Sequence, residues 1–222
     1  MRTTCGWDEL KYLEFVRSRL PEKPVLYDVG FNRGDFTREW LARYPDSIVY
    51  GFEPIEELYS LGCEAFKDIS NVKIFNFGLH NTSQESIIYY LQGGFDGMSS
   101  IHYRPKYYPK FNYVEQTIQL KKFDDISRDF SSPDFIKIDT EGNEYFILQG
   151  MENFLVSSPP KFIQFEIGEC INDAHVTFKE IIDFLYTKNY TVYNRKFQII
   201  SPENVWENTD LQNYLSVLNE NF

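Results

Sequence analysis

The chain has 222 residues, with 22 Lys and Arg against 33 Asp and Glu, for a formal charge of −11. Hydrophobic residues make up 42% and aromatic residues 18%, enough to fill the core of one domain and too much for a disordered chain. The acidic balance argues against a general nucleic-acid binder, because a polyanion is repelled over most of the surface.

Residues 7–20 place Trp7, Leu10, Leu13, Val16 and Leu20 at helical spacing, and Pro21 and Pro24 end that helix, so 1–23 is expected to be an N-terminal helical segment. A core over 25–200 follows. A short apolar strand at 25–30 precedes a helix at 35–44 with Phe36, Trp40 and Leu41 on one face. A strand at 47–52, a helix at 56–66 and a strand at 72–77 continue the alternation, which implies right-handed crossovers and a parallel sheet. The rhythm changes over 84–122, where two strands, 86–91 and 114–120, flank a turn-rich aromatic stretch; this is expected to be an inserted hairpin or lid. The alternation resumes with a strand at 135–139, a helix at 144–155, a strand at 161–167 and a helix at 176–188. Residues 190–193 and 197–200 predict a hairpin, and 202–222 a C-terminal surface helix. No linker rich in Gly, Pro or Ser divides the chain, so 1–222 is expected to be one domain.

The turn Asp28-Val29-Gly30-Phe31-Asn32-Arg33-Gly34-Asp35 lies where the first strand gives way to a helix, and open α/β sheets bind ligands at that edge. Gly30 and Gly34 let the backbone turn tightly and approach a ligand. The spacing matches neither a dinucleotide fingerprint nor a phosphate loop. An acid ahead of the first glycine disfavours pyrophosphate and suits a cationic or hydroxyl-bearing ligand. Glu53 closes the second strand, a position from which a carboxylate accepts both ribose hydroxyls of a nucleoside. Together these features favour S-adenosylmethionine, with its amino acid and sulfonium near Asp28 and Gly30. The alternative is a tight strand–helix turn and an unconnected surface Glu.

The fourth strand carries Phe135-Ile136-Lys137-Ile138-Asp139-Thr140-Glu141-Gly142-Asn143-Glu144, which resembles the IKIDxEGxE signature of the FkbM family of S-adenosylmethionine-dependent methyltransferases. The 28–37 turn, Phe52-Glu53-Pro54, Asn76-Phe77-Gly78-Leu79, Ser99-Ser100 and Gln164-Phe165-Glu166 resemble the same family, over roughly residues 25–170. The resemblance implies a class I methyltransferase fold, Rossmann-like, with helices on both faces of a mostly parallel seven-stranded sheet whose last strand is antiparallel. It implies cofactor contacts from Asp28, Gly30, Phe31, Asn32, Gly34, Glu53, Pro54, Asn76, Gly78, Leu79, Ser99 and Asp139. Phe31 stands where the family often has Ala; it either narrows the space beside the cofactor or points into the sheet.

Methyl transfer to an alcohol needs alignment and a proton acceptor. Lys137 and Asp139 are two apart on one strand and share a face. Asp139 is the expected base, with Glu141 and Glu166 completing an acidic floor and Lys137 neutralising it. The alternatives are a helix-capping role for Asp139 and Glu141, or a divalent cation on the three carboxylates; no metal is assigned. His102 is a further candidate base, because neutral imidazole works near pH 7.

Residues 102–113 interleave Tyr103, Tyr107, Tyr108, Phe111 and Tyr113 with Arg104, Lys106 and Lys110. Such a stretch suits a sugar, especially one carrying an acidic group; the alternative is a packed surface loop covering the sheet edge. The expected activity is O-methylation of a hydroxyl, foremost of a sugar in a glycan or glycoconjugate. The alternatives are a non-sugar natural product as acceptor and a non-catalytic interaction module. Small-molecule or glycan substrates are expected, with no nucleic acid and no membrane span, since no apolar run reaches about 20 residues. The charged opening MRTTCGWDELKYLEF lacks the apolar stretch of a signal peptide, and Cys5, Cys63 and Cys170 form no pairing framework, so a cytoplasmic location is expected.

Overall fold

The computed structural model describes residues 7–92, 96–205 and 212–219. In chain order the strands are β1 (Val25–Val29), β2 (Ile48–Phe52), β3 (Val72–Phe75), β4 (Gly78–His80), β5 (Gln84–Leu91), β6 (Tyr113–Lys122), β7 (Phe135–Ile138), β8 (Phe162–Ile167), β9 (Tyr190–Tyr193), β10 (Ile199–Ile200) and β11 (Gln212–Leu218). The helices are α1 (Trp7–Val16), α2 (Asp35–Arg43), α3 (Glu56–Ala65), α4 (Phe123–Ile126), α5 (Glu144–Gly150), α6 (Phe154–Ser157), α7 (Cys170–Asp173) and α8 (Phe178–Thr187). None of the described helices is long and apolar enough to cross a membrane.

The main sheet runs β10-β9-β11-β8-β7-β1-β2-β3. β1, β2, β3, β7 and β8 are parallel neighbours, while β11 is antiparallel to both β8 and β9. Two expectations are corrected here. The 190–200 hairpin exists as β9 and β10, but β10 is an additional edge strand, so among the described residues the sheet has eight strands rather than seven. The antiparallel strand inside the sheet is β11, from the tail expected to be a helix; the rest of that stretch beyond residue 205 lies outside the described residues, Asn219 apart. The spacing of Leu211, Leu215 and Leu218 imitates a helical face. The strand is buried on both sides, with Tyr214 in the core on one face and Leu215 in the core on the other, so it lacks the alternation that marks a strand.

Because β-strand side chains alternate, each strand feeds two cores. Tyr27, Phe52, Ile138 and Phe165 pack beneath α5 and α8, and Leu26, Val49, Phe135 and Phe162 pack beneath α1 and α2. Trp40 is wholly buried there, its indole N–H donating to Ser47 Oγ at 2.9 Å. The 84–122 insertion forms a β5–β6 hairpin that joins β4 in a separate sheet, β4-β6-β5, and its Ile88, Ile118 and Leu120 make a third apolar cluster with Ile55 and Leu58.

Phe31 resolves into the second of its two expected roles. It is 2% exposed and fills a hollow left by Gly34, Gly51 and Gly62, edge-on to Phe66. A Cβ on Gly51 would lie 2.4 Å from the Phe31 ring. Gly51→Ala is therefore expected to destabilise the fold by about 1–3 kcal/mol through overpacking, measured by urea denaturation; an unchanged midpoint would show that the ring moves freely.

Candidate active site

The carboxyl ends of β1, β2 and β7 open into a hollow lined by Gly30, Asn32, Glu53 and Asp139. Gly30 ends β1 at φ +78°, and a Cβ there would lie 1.9 Å from the Asp139 carbonyl oxygen. Only glycine lets the first turn pass this close to the tip of β7. Glu53 follows β2 and is 3% exposed. Its Oε2 accepts from the Asn32 N–H at 2.7 Å and its Oε1 from the Ile55 N–H at 2.9 Å. Those two bonds fix the carboxylate plane at the wall of the hollow and leave further lone pairs for a ligand. Burial raises its pKa to about 7 against the pull of the two N–H donors.

Eight of the twelve expected cofactor residues line this hollow: Gly30, Asn32, Glu53, Pro54, Gly78, Leu79, Ser99 and Asp139. The other four, Asp28, Phe31, Gly34 and Asn76, do not. Asp28 is wholly buried behind the turn, accepting from Thr37 Oγ1 at 2.7 Å. Gly34, at φ +75°, precedes α2. Asn76 donates to the carbonyls of Glu53 and Pro54 at 3.1 and 3.3 Å, so it holds the loop that carries Glu53. Sequence reasoning missed Ile55, Leu58, Ile88, Ile118, Thr140 and Asn143 in the lining. The available signal was the alternation Ile88/Tyr90 and Ile118/Leu120, an apolar face in need of a cover.

Lys137 is 5% exposed and lies between the turn and the acids. Its ammonium donates to the Gly30 carbonyl at 3.0 Å and stands 3.5 Å from Asp28 and 3.3 Å from Asp139. Burial opposes its charge, but Asp139 and Asp28 outweigh burial and push its pKa up, so it remains an ammonium. Burial pushes Asp28 up, held back by Lys137 and the Thr37 hydroxyl.

A second hollow adjoins the first and shares Asp139 and Glu141 with it. Glu166, Glu169, Arg104 and Tyr107 also line it. Asp139, Glu141 and Glu166 offer carboxylate oxygens within 4.8 Å of one another, a spacing compatible with one divalent cation. Without a cation the cluster holds a proton. The neighbouring Asp139 charge and then burial raise the Glu166 pKa to about 9, and protonated Glu166 hydrogen-bonds to Asp139. Burial raises Glu141 to about 8 even though Arg104 Nη1 donates to its Oε2 at 2.7 Å. Glu141 sits at φ 56°, a strained conformation for a non-glycine residue. Glu144 holds this turn, accepting from the N–H groups of Thr140 at 2.8 Å and Gly142 at 3.0 Å.

Two expectations are not met. His102 lines neither hollow; its ring lies 5.7 Å from that of Phe146 on α5, and burial lowers its pKa to about 4. The tyrosines of 102–113 form no stacking surface beside the hollows: Tyr103 is exposed, but Tyr103, Tyr108 and Tyr113 line neither of them. Tyr103, Tyr108 and Tyr113 pack with Tyr89 on the outer face of the small sheet, and Tyr108 is wholly buried. Arg104 is committed to Glu141, and Lys106 and Lys110 are exposed and away from both hollows. Tyr107 alone reaches the second hollow, donating to Glu169 at 2.6 Å.

A mainly parallel sheet with a glycine turn after its first strand, an acid after its second and an inserted antiparallel strand defines a class I methyltransferase, for which S-adenosylmethionine is the methyl donor. The chain belongs to the FkbM methyltransferase family: the model for the methyltransferase FkbM domain matches residues 28–193. Among solved structures, it resembles the methyltransferase FkbM from Methylobacillus flagellatus KT at TM-score 0.55 and 15% identity, over 94% of this chain and 50% of that one. This chain thus spans about half of that protein. It also resembles a precorrin-6y C5,15-methyltransferase from Geobacter metallireducens GS-15 (TM-score 0.51, 12% identity, 99% of this chain and 93% of that one). A third resemblance is to a putative rRNA methylase from Clostridium thermocellum (TM-score 0.52, 11% identity, 98% and 99%). At such identities the likeness is one of fold. No curated protein shows significant sequence similarity to the chain.

The first hollow fits the donor. Glu53 presents oriented acceptors for ribose hydroxyls, Gly30 and Asn32 line the turn beside it, and Ile55, Leu58 and Ile88 supply an apolar slot. Glu53→Ala is expected to weaken binding of S-adenosylhomocysteine by about 1–3 kcal/mol, read by calorimetry; unchanged affinity would remove Glu53 from the ribose site. Lys137→Met leaves Asp28 buried without its cation and is expected to cost about 3–5 kcal/mol of stability. Asp28 then takes up a proton on folding, so stability falls as pH rises, and denaturation should show a smaller loss at about pH 5 than at about pH 8. A pH-independent loss would mean that Asp28 is not the group left unpaired.

Proposed function

We propose that the protein methylates a hydroxyl oxygen, foremost of a sugar in a glycan or glycoconjugate, with Asp139 as the proton acceptor. The observation that carries this reading is the second hollow, which meets the donor hollow at Asp139 and Glu141 and is lined by carboxylates together with Arg104 and Tyr107. A wall of hydrogen-bond acceptors suits a polyol and disfavours an apolar natural product. The preference for an acidic sugar loses its support, because Arg104 is paired with Glu141 and Asp173.

When bound, S-adenosylmethionine supplies an activated methyl group on a sulfonium. The chain's own part is to hold the alcohol beside Asp139 and to take its proton. Orientation contributes on the order of 7–11 kcal/mol, and a positioned base a further two to four powers of ten, roughly. The Asp139 charge and burial raise the Glu166 pKa to about 9, so Glu166 stands beside the proposed base as an acid at neutrality. Lys137 balances the charge from behind.

The test is a screen of neutral and amino-bearing glycans with methyl-labelled donor, reading product mass and linkage. Label on a hydroxyl oxygen is expected; label on nitrogen, carbon or RNA would overturn the reading. On the acceptor so found, Asp139→Asn is expected to lower turnover by about 10²–10⁴-fold with donor affinity retained. Glu166→Gln, whose amide mimics the protonated acid, is expected to stay within about tenfold, since it removes neither the base nor a charge present at neutrality. Activity abolished by a chelator and restored by Mg²⁺ would assign the three carboxylates to a cation instead.

A further inference from the structure

The turn after β7 is held from two sides. On one side Glu144 accepts from the N–H groups of Thr140 and Gly142. On the other, two side chains of the insertion close on Glu141: Ser100 Oγ donates to its carbonyl at 2.7 Å, and Arg104 Nη1 to its Oε2 at 2.7 Å. Both are themselves fixed. Ser100 exchanges backbone hydrogen bonds with Tyr89 on β5 at 2.9 and 3.4 Å, and its Oγ accepts from the His102 N–H at 3.1 Å. Arg104 is 4% exposed, with its Cζ 4.6 Å over the Tyr107 ring centre and its Nε 3.8 Å from Asp173 Oδ2 on α7. Glu141 needs this hold, since a non-glycine residue keeps a φ of 56° only where its surroundings impose it. It stands two residues after Asp139 and lines both hollows.

We propose that Arg104, with Ser100, is a positioning residue: acting through Glu141, it fixes the Asp139–Gly142 turn and so the direction in which Asp139 meets the acceptor. The assignment rests on the reading of Asp139 as proton acceptor, and it gives the insertion a part in the chemistry. A planar guanidinium serves Glu141, Asp173 and the face of Tyr107 at once. An ammonium is a single point charge, so lysine replaces the charge without the geometry. A reacting group displaced by about 1 Å costs about a hundredfold in rate, so a loosened turn is read in turnover even where the fold is intact.

The experiment compares the wild type with Arg104→Met, Arg104→Lys and Ser100→Ala. It reads amide hydrogen exchange by NMR, calorimetry with S-adenosylhomocysteine, and turnover on whichever acceptor takes the labelled methyl group. In Arg104→Met the Thr140 and Gly142 amides are expected to exchange about ten- to a hundredfold faster, while the amides of β1 and β7 keep their protection. Donor affinity stays within about threefold, and kcat falls about ten- to a hundredfold. Arg104→Lys recovers only part of kcat. Ser100→Ala, a smaller change, loosens the same two amides to a lesser degree and keeps the test decisive should Arg104→Met fail to fold. Unchanged exchange at Thr140 and Gly142, loosening spread evenly over the sheet, or full kcat in Arg104→Met would overturn the assignment. Label on nitrogen or carbon would instead overturn the hydroxyl reading, because exchange needs no acceptor and turnover is read on the acceptor found.

Discussion

One buried ammonium ties the site together. Lys137 reaches from the middle of the sheet to the Gly30 carbonyl, Asp28 and Asp139, and so connects the first turn to the tip of β7. Each partner is placed by backbone register, since Asp28 lies opposite Lys137 on the neighbouring strand. A lysine this deep keeps its charge only because carboxylates surround it. The arrangement also lets Gly30 lie against Asp139, a contact that no other residue type permits at that position.

The same economy of space explains the acids. Asp139, Glu141 and Glu166 converge where the two hollows meet, and Arg104 offsets one of them. Like charges in a water-poor corner cannot all remain ionised, so the cluster keeps a proton on Glu166. Glu144 does not add a fourth free charge to the same crevice. It is spent on the backbone of the turn, where it holds Glu141 in its left-handed conformation. The aromatic loop after Ser100 is likewise structural, with its tyrosines covering the outer face of the small sheet and only Tyr107 turned toward the acids.

Much of this was legible from residue order alone. The alternation of strands and helices up to Phe77, the glycine turn, Glu53 and the 135–144 segment lie in local patterns with local physical meaning. The tail was misread because β11 is buried on both faces and its leucines imitate a helix. The burial of Asp28 and the rerouting of Arg104 depend on which strands become neighbours, and no local spacing encodes that. Asn143 joins the lining for a similar reason: it is held by the Leu79 carbonyl, 64 positions away in the chain. The tyrosines of 102–113 show composition failing as a guide to exposure, since the same rings suit a sugar platform and a packed cover.

The central claim is that the Gly30–Glu53 hollow takes the adenosyl group and opens at Asp139 onto the acceptor. A crystal structure with S-adenosylhomocysteine tests it most directly. The account predicts ribose hydroxyls on Glu53, the base in the slot between Ile55 and Leu120, and the sulfur facing the second hollow beside Asp139. Ligand density outside this hollow, or a sulfur turned away from Asp139, would contradict it.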